Sequence, residues 1–361
     1  MKRRVFTKTA LGAPLALALG CRNRTDGLPD WSSTVPEVLV QPVADYGQGL
    51  SGLLRQGLAR FPNLAIRGKT VLLKINLVAT SPERAINTDP RFVVAAAEAF
   101  RSLWAAAVTV ADGPGHDRDI DHLLDRSGLG DLLDAADLRV IDLNHQPLVQ
   151  VENARGETGL PTLYLPRPLL QSDLVVSLPK LKTHHWAGVT LSLKNMFGVM
   201  PGSVYGWPKN VFHWKQIDRS VFDINRAARA HFAMVDGIVG MEGDGPLDGE
   251  DVRLGRVVMG RDLAAVDVVA SRLMGVDPLS IPHLRRVIDA RSPNVAAGLR
   301  AASARPPRVP RPRIDRSGCL RTGRRQPVLS RQIRLGTRRN DTDSSCAAGV
   351  GVTPWNGKIA R

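Results

Sequence analysis

The stretch from Pro179 to Gly202, PKLKTHHWAGVTLSLKNMFGVMPG, sets Lys180, Lys182 and Lys194 and the adjacent His184 and His185 among apolar residues and glycines. An isolated charge moved into an apolar interior costs several kcal/mol, so these groups must be solvated, paired or turned toward a ligand. Ammonium groups act as compact point charges for a phosphate or carboxylate, and nearby glycines expose backbone N–H donors. Together with Lys74, Asn76, Asp112 and Asn195 they form a candidate site for a small anionic ligand. Taken singly, alternate lysines on an edge strand also serve as a solvated guard against aggregation. His184 continues the face of Lys180 and Lys182 by period two, which makes it the candidate for proton transfer near neutral pH; a structural histidine is the competing reading.

The acids suggest a second kind of chemistry. The segment VDGIVGMEGDGP places Asp236, Glu242 and Asp244 on a glycine-rich loop after a strand, a donor set suited to a hard divalent cation, with His184, His185 and His213 as further ligands. Its spacing is not that of an EF-hand. In the competing arrangement Asp236 caps a turn and Asp244 pairs with a lysine. HDRDIDH, from His116 to His122, is read as the acidic first turn of a helix, where carboxylates favour the macrodipole. There is no dinucleotide fingerprint, Walker loop or GxSxG elbow.

The elements that must position these residues alternate. KTVLLKINLV reads as a strand, DPRFVVAAAEAFRSLWAAA as a helix with Asp89 as its cap, and AVTVADGPG as the next strand, which is one crossover unit. LRVIDL, GLPTLYLP, DLVVSLPKLKTH, HFAMVDGIVG and VRLGRVVMG continue as strands, and HWKQIDRSVFDINRAAR, DLAAVDVVASRLMG and DPLSIPHLRRVID as helices. The fold class is therefore α/β, a mainly parallel sheet flanked by helices with Rossmann-like layering. In such sheets ligands bind at the carboxyl ends of the strands. Lys74, Asn76, Asp112, Lys180 to His185 and Asp236 to Asp244 all fall at or just past such ends, which is the case for one shared pocket.

The order VLLKINLV, VADGPG, DLVVSLPKLKTHHWAGVTLSLKNMFGVMPG, MVDGIVGMEGDGPLDG and VVMGRDLAAVDVVASRLMGVDP resembles the domain-of-unknown-function 362 family across roughly residues 68 to 290. The resemblance implies the α/β fold and little biochemistry. Some members of that family carry a ferredoxin-like iron–sulfur segment, which this chain lacks.

Composition bounds the partners. The net charge is +15, but residues 291–361 hold fifteen arginines and one lysine against three aspartates, so the body is nearly neutral and a nucleic-acid partner is not expected. Residues 291–361 are read as a disordered basic tail, rich in Pro and Arg, with a shifted reading frame as its favoured origin. The three cysteines are Cys21, Cys319 and Cys346, so no cysteine-ligated iron–sulfur cluster is expected in the body. The first 21 residues have the layout of an export signal: RRVFTK resembles the twin-arginine pattern and ALGC a lipobox, with Cys21 as the lipidated residue and membrane anchor. Residues 22–35 read as a linker and 36–290 as the α/β domain.

The expected protein is thus exported, periplasmic or at the cell surface. It has a strand-end pocket for a small anionic or metal-associated ligand, with metal-assisted hydrolysis or group transfer as the chemistry if it turns substrate over. Two alternatives stay open: a non-catalytic ligand-binding lipoprotein, and a redox-associated protein that needs a non-cysteine cofactor. Nothing in the sequence sets the oligomeric state.

Overall fold

A computed structural model describes residues 36–81, 83–115, 119–304 and 331–334. The export signal, Cys21, the linker and the rest of the basic tail lie outside the described residues. The strands are β1 (Glu37–Pro42), β2 (Thr70–Lys74), β3 (Ala107–Asp112), β4 (Arg139–Asp142), β5 (Leu148–Glu152) and β6 (Thr162–Pro166). They continue with β7 (Leu174–Ser177), β8 (Lys180–His184), β9 (Gly188–Val189), β10 (Phe232–Glu242), β11 (Glu250–Gly260) and β12 (Arg331–Arg334).

Ten strands form one sheet in the order β12-β1-β11-β10-β7-β2-β3-β4, with β8 pairing β10 and β9 pairing β8. The run β10-β7-β2-β3-β4 is parallel, and β1, β11 and β12 close the other edge antiparallel. The sequence reading of a mainly parallel α/β sheet therefore holds. β5 and β6 pair only with each other.

Residues alternate between two cores, as the period of two along a strand requires. Leu72, Val175, Ala233 and Val235 face one helical layer, which includes the helices Ile217–Ala228, Leu263–Leu273 and Pro282–Asp289. Val71, Leu73, Val176 and Met234 face the other, with the helices Leu50–Leu58 and Pro90–Ser102. The latter helix shows how local sequence sets geometry. Asp89 accepts the N–H of Arg91 at 2.9 Å as N-cap, Pro90 occupies the first turn, and Phe92, Val93, Ala96 and Phe100 form its buried stripe. Each fully buried phenylalanine there contributes about 1.5–3 kcal/mol. Asp119 likewise caps Ile120–Arg126 through the N–H groups of Asp121 and His122.

Ordered structure runs past Ala290: the helix Pro293–Ala304 buries Val295, Ala296 and Leu299 against the first core. Its small alanine-rich stripe resembles the tail in composition, which hid it from a hydrophobicity reading. DLVVSLPKLKTH, read as one strand, is two. Pro179 interrupts it, and its carbonyl accepts the N–H of Asp236 at 2.9 Å. β7 and β8 both pair with β10, in successive registers.

β2 lies between β3 and β7, so the chain leaves it in one direction and returns on the other side. The carboxyl ends of β2 and β7 therefore mark the topological switch point, where α/β sheets open a crevice.

Candidate functional site

Lys74, the last residue of β2, is 1% exposed, and its Nζ lies 2.7 Å from Asp112 Oδ1 at the end of β3. The ammonium also donates to the Ile75 carbonyl at 2.6 Å and reaches Asn195 Oδ1 at 3.4 Å. Asp112 accepts the N–H groups of Leu77 (2.7 Å) and Gly113 (2.6 Å). Burial pulls the lysine down and the carboxyl up, and the close contact opposes both. Asn195 ties the ends of β2 and β7 together by donating to the Lys74 carbonyl (2.9 Å) and to Ser177 Oγ (3.0 Å). Gly198 closes over the pair: a Cβ there would stand 2.6 Å from Lys74 Nζ and 2.8 Å from Asp112 Oδ1.

Three more lysines surround this pair, and none of them has a carboxylate partner in the described residues. Lys182 is fully buried and donates to the Ile86 carbonyl at 2.6 Å; burial and the charges of Lys194 and Lys180 push it down to about 7. Lys209 donates to the Met200 carbonyl (2.6 Å) and Asn144 Oδ1 (3.1 Å) and is likewise pushed down to about 7, chiefly by burial. Lys194 is partly exposed and has no hydrogen-bond acceptor in the described residues. Its Nζ lies over the Phe197 ring, 4.2 Å from the centroid, and burial with the nearby Lys74 charge brings it down to about 8.

Two imidazoles feel the same field. His184 Nδ1 accepts the N–H groups of Trp186 (3.2 Å) and Ala187 (3.4 Å), which leaves the proton on Nε2. Burial and the charges of Lys194 and Lys182 hold its pKa well below the usual imidazole range, so it is a neutral Nε2–H donor. His283 is pushed down to about 3 by burial and by Lys194, and its Nε2 is buried with no partner. His283 also lines an open cleft of about 570 Å³, together with Trp186, His213, Trp214 and Ile217.

Lys194 is presented by a constrained turn. Leu191 takes φ 22°, a region that costs a non-glycine residue about 1–3 kcal/mol. The next two N–H groups, of Ser192 and Leu193, donate to the buried Asp267 at 2.7 and 2.9 Å. Burial pushes Asp267 up to about 7 against the pull of those two donors.

The sequence placed Lys180 and Asp236 in the same pocket; the structure seats them in a separate cluster. Lys180 Nζ pairs with Asp236 Oδ2 at 2.8 Å and donates to Tyr46 Oη at 3.0 Å, while Tyr46 donates to Asp236 Oδ1 at 2.8 Å. The Asp89 N–H completes the carboxylate's shell at 3.0 Å. Burial, with Asp236 and Asp89 close by, pushes the Tyr46 phenol far above its ordinary value. This unit borders a different cleft, of about 270 Å³, rimmed by Arg84, Arg91 and Asp251.

The acidic trio is not brought together. Asp236 and Glu242 lie six residues apart along β10, with a register irregularity between them, and Asp244 lies exposed in the connection to β11. No group of three His, Cys, Asp or Glu side chains suited to a metal ion occurs among the described residues. His185 is turned outward with its Nδ1 3.0 Å from the Gly245 carbonyl. Asn76 bonds Thr88 through its backbone, and its Oδ1 is buried without a partner.

Lys209, His283, Tyr46 and Asp267 escaped the sequence reading. For Lys209 a signal existed, a lone lysine in the aromatic run WPKNVFHW. His283 also had one, at the buried spacing of Leu284 and Val287 on its helix. Tyr46 reaches Asp236 across 190 residues and left none.

The fold and this cluster define a three-layer α/β protein with buried cations at the sheet's switch point. The chain belongs to the family described as "Domain of unknown function (DUF362)", whose model matches residues 71–272. The "Thylakoid-associated protein sll1697" of Synechocystis sp. is 28% identical over 243 residues, 64% of this chain and 71% of that protein. A Thermotoga maritima crystal structure aligns at 14% identity and a TM-score of 0.37, covering 59% of this chain and 56% of that one. The lactate racemase apoprotein of Thermoanaerobacterium thermosaccharolyticum aligns at 12% and 0.38, covering 66% and 56%. The chain spans little more than half of each solved structure. No helix among the described residues is long and apolar enough to cross a membrane.

Proposed function

We propose that this chain binds a small anion at the carboxyl ends of β2 and β7. Lys194 and the Nε2–H of His184, the partly exposed members, contact the ligand, and Lys182 and Lys209 supply positive potential from behind as they take up protons on binding. One observation carries the reading: Lys74, Lys182, Lys194 and Lys209 cluster where, among the described residues, only Asp112 forms an ion pair with any of them. A site with that deficit of negative charge is completed by an anionic ligand. His184 then acts by donating a hydrogen bond, and ligand charge raises its proton affinity.

Calorimetric titration with inorganic sulfate tests this. Saturable binding to the full chain is expected, weakened at least about tenfold by Lys194→Ala, the loss of one charge-assisted contact. Undetectable binding at millimolar sulfate would remove the reading. The thylakoid association of the Synechocystis relative and the lipobox at Cys21 favour work at a membrane surface. Loss of membrane fractionation in Cys21→Ala tests that part.

A further inference from the structure

We propose that Lys194 forms an imine with a carbonyl group carried by the bound anion, which makes the ligand class a small aldehyde acid or keto acid. The inference rests on the anion-binding reading and narrows it.

Each ammonium near the site but one is held by an acceptor in the described residues. Lys74 has Asp112 and the Ile75 carbonyl; Lys180 has Asp236 and Tyr46. Lys182 has the Ile86 carbonyl, and Lys209 has Met200 and Asn144. Those four are pinned, at 0–2% exposure. Lys194 alone in this group keeps solvent access and has no acceptor in the described residues, only the face of Phe197. An amine desolvated among other cations is a recognised way of making a lysine nucleophilic. Burial with the Lys74 charge does this here, while Lys182 and Lys209 supply positive potential for a carboxylate on the same ligand as they take up protons. The turn at Leu191, held by Asp267, fixes where the amine is delivered.

The step balances without an oxidant or reductant. The unprotonated Nζ adds to the carbonyl carbon, a C–N bond forms, and one nitrogen hydrogen moves to the carbonyl oxygen to give a carbinolamine. The C–O bond then breaks, the hydroxyl leaves as water with the second nitrogen hydrogen, and C=N remains. His283, whose buried Nε2 has no partner, and His184, with its Nε2–H, both feel the Lys194 charge and are the neutral imidazoles available to relay those hydrogens.

The test treats the full chain at pH 8 with glyoxylate or pyruvate and sodium cyanoborohydride, then maps the reduced adduct by peptide mass spectrometry. Labelling is expected to concentrate at Lys194, about tenfold faster than at the exposed Lys69 or Lys215, to slow as sulfate is added, and to vanish at that peptide in Lys194→Arg. Labelling confined to exposed lysines, in a protein that still binds sulfate, would overturn the imine and leave the anion site standing. Absence of both would remove both. Unchanged labelling near this site in Lys194→Arg would place the imine elsewhere and overturn the assignment.

Discussion

The Lys74 ammonium and the Asp112 carboxylate meet at 2.7 Å with their side chains 1% and 3% exposed. A pair so buried is tolerated because each partner satisfies the other. Removing one leaves a naked charge. Asp112→Asn is expected to destabilise the fold by about 3–5 kcal/mol, and adding Lys74→Met is expected to recover most of that loss. Urea unfolding of the two single variants and the double variant measures the coupling.

Stability should depend on pH in a particular direction. Lys182 and Lys209, pushed down to about 7, and Lys194, at about 8, give up protons in the folded protein where the unfolded chain still holds them. Between about pH 7 and pH 10.4 the unfolded chain binds more protons, so stability rises with pH across that window. Each group contributes up to about 1.4 kcal/mol per pH unit inside its own range. Below about 7 both states are charged and the contribution levels off. Denaturant midpoints at pH 7, 8, 9 and 10 in sulfate- and phosphate-free buffer check this; a flat or falling series counts against the depressed lysines.

Gly198 is where the backbone approaches the buried pair most closely. Gly198→Ala puts a methyl 2.6 Å from Lys74 Nζ and 2.9 Å from its Cε. The expected cost is about 1–3 kcal/mol of overpacking, seen as a lower unfolding midpoint together with weaker sulfate binding.

Asp267 acts through the turn it holds. Asp267→Asn keeps the shape but loses one of the two acceptor oxygens facing Ser192 and Leu193. Sulfate affinity is expected to fall about tenfold while the pH at which Lys194 titrates stays near that of the parent. A variant with full affinity would show that the turn does not position Lys194.

Much of the fold was legible because it rests on local patterns. The apolar runs of β2, β3 and β7 and the Asp89 cap are written in adjacent residues, and so is the placement of Lys74 and Asp112 at strand ends. The division of the charges was not legible. Lys180 and Lys182 share a strand face by period two, yet the register of β8 on β10 sets Lys180 opposite Asp236, and Tyr46, from the loop after β1, captures both. The acidic trio failed for a related reason. The glycines near Asp236 read as loop, but β10 continues as strand through Glu242, paired with its antiparallel partner β11 across a register shift at Gly237–Val239. Lys209 and His283 joined the site through packing of distant helices, which no local spacing encodes.

Around Lys194 negative charge is in deficit, and an anion fills it. Calorimetric titration of the full chain with sulfate at pH 7.5, in two buffers of different ionisation enthalpy, tests it most directly. The account predicts uptake of on the order of one proton per sulfate bound, as Lys182, Lys194 and Lys209 regain their ordinary affinity for protons. Sulfate binding with no proton uptake, or no binding at all, would contradict it.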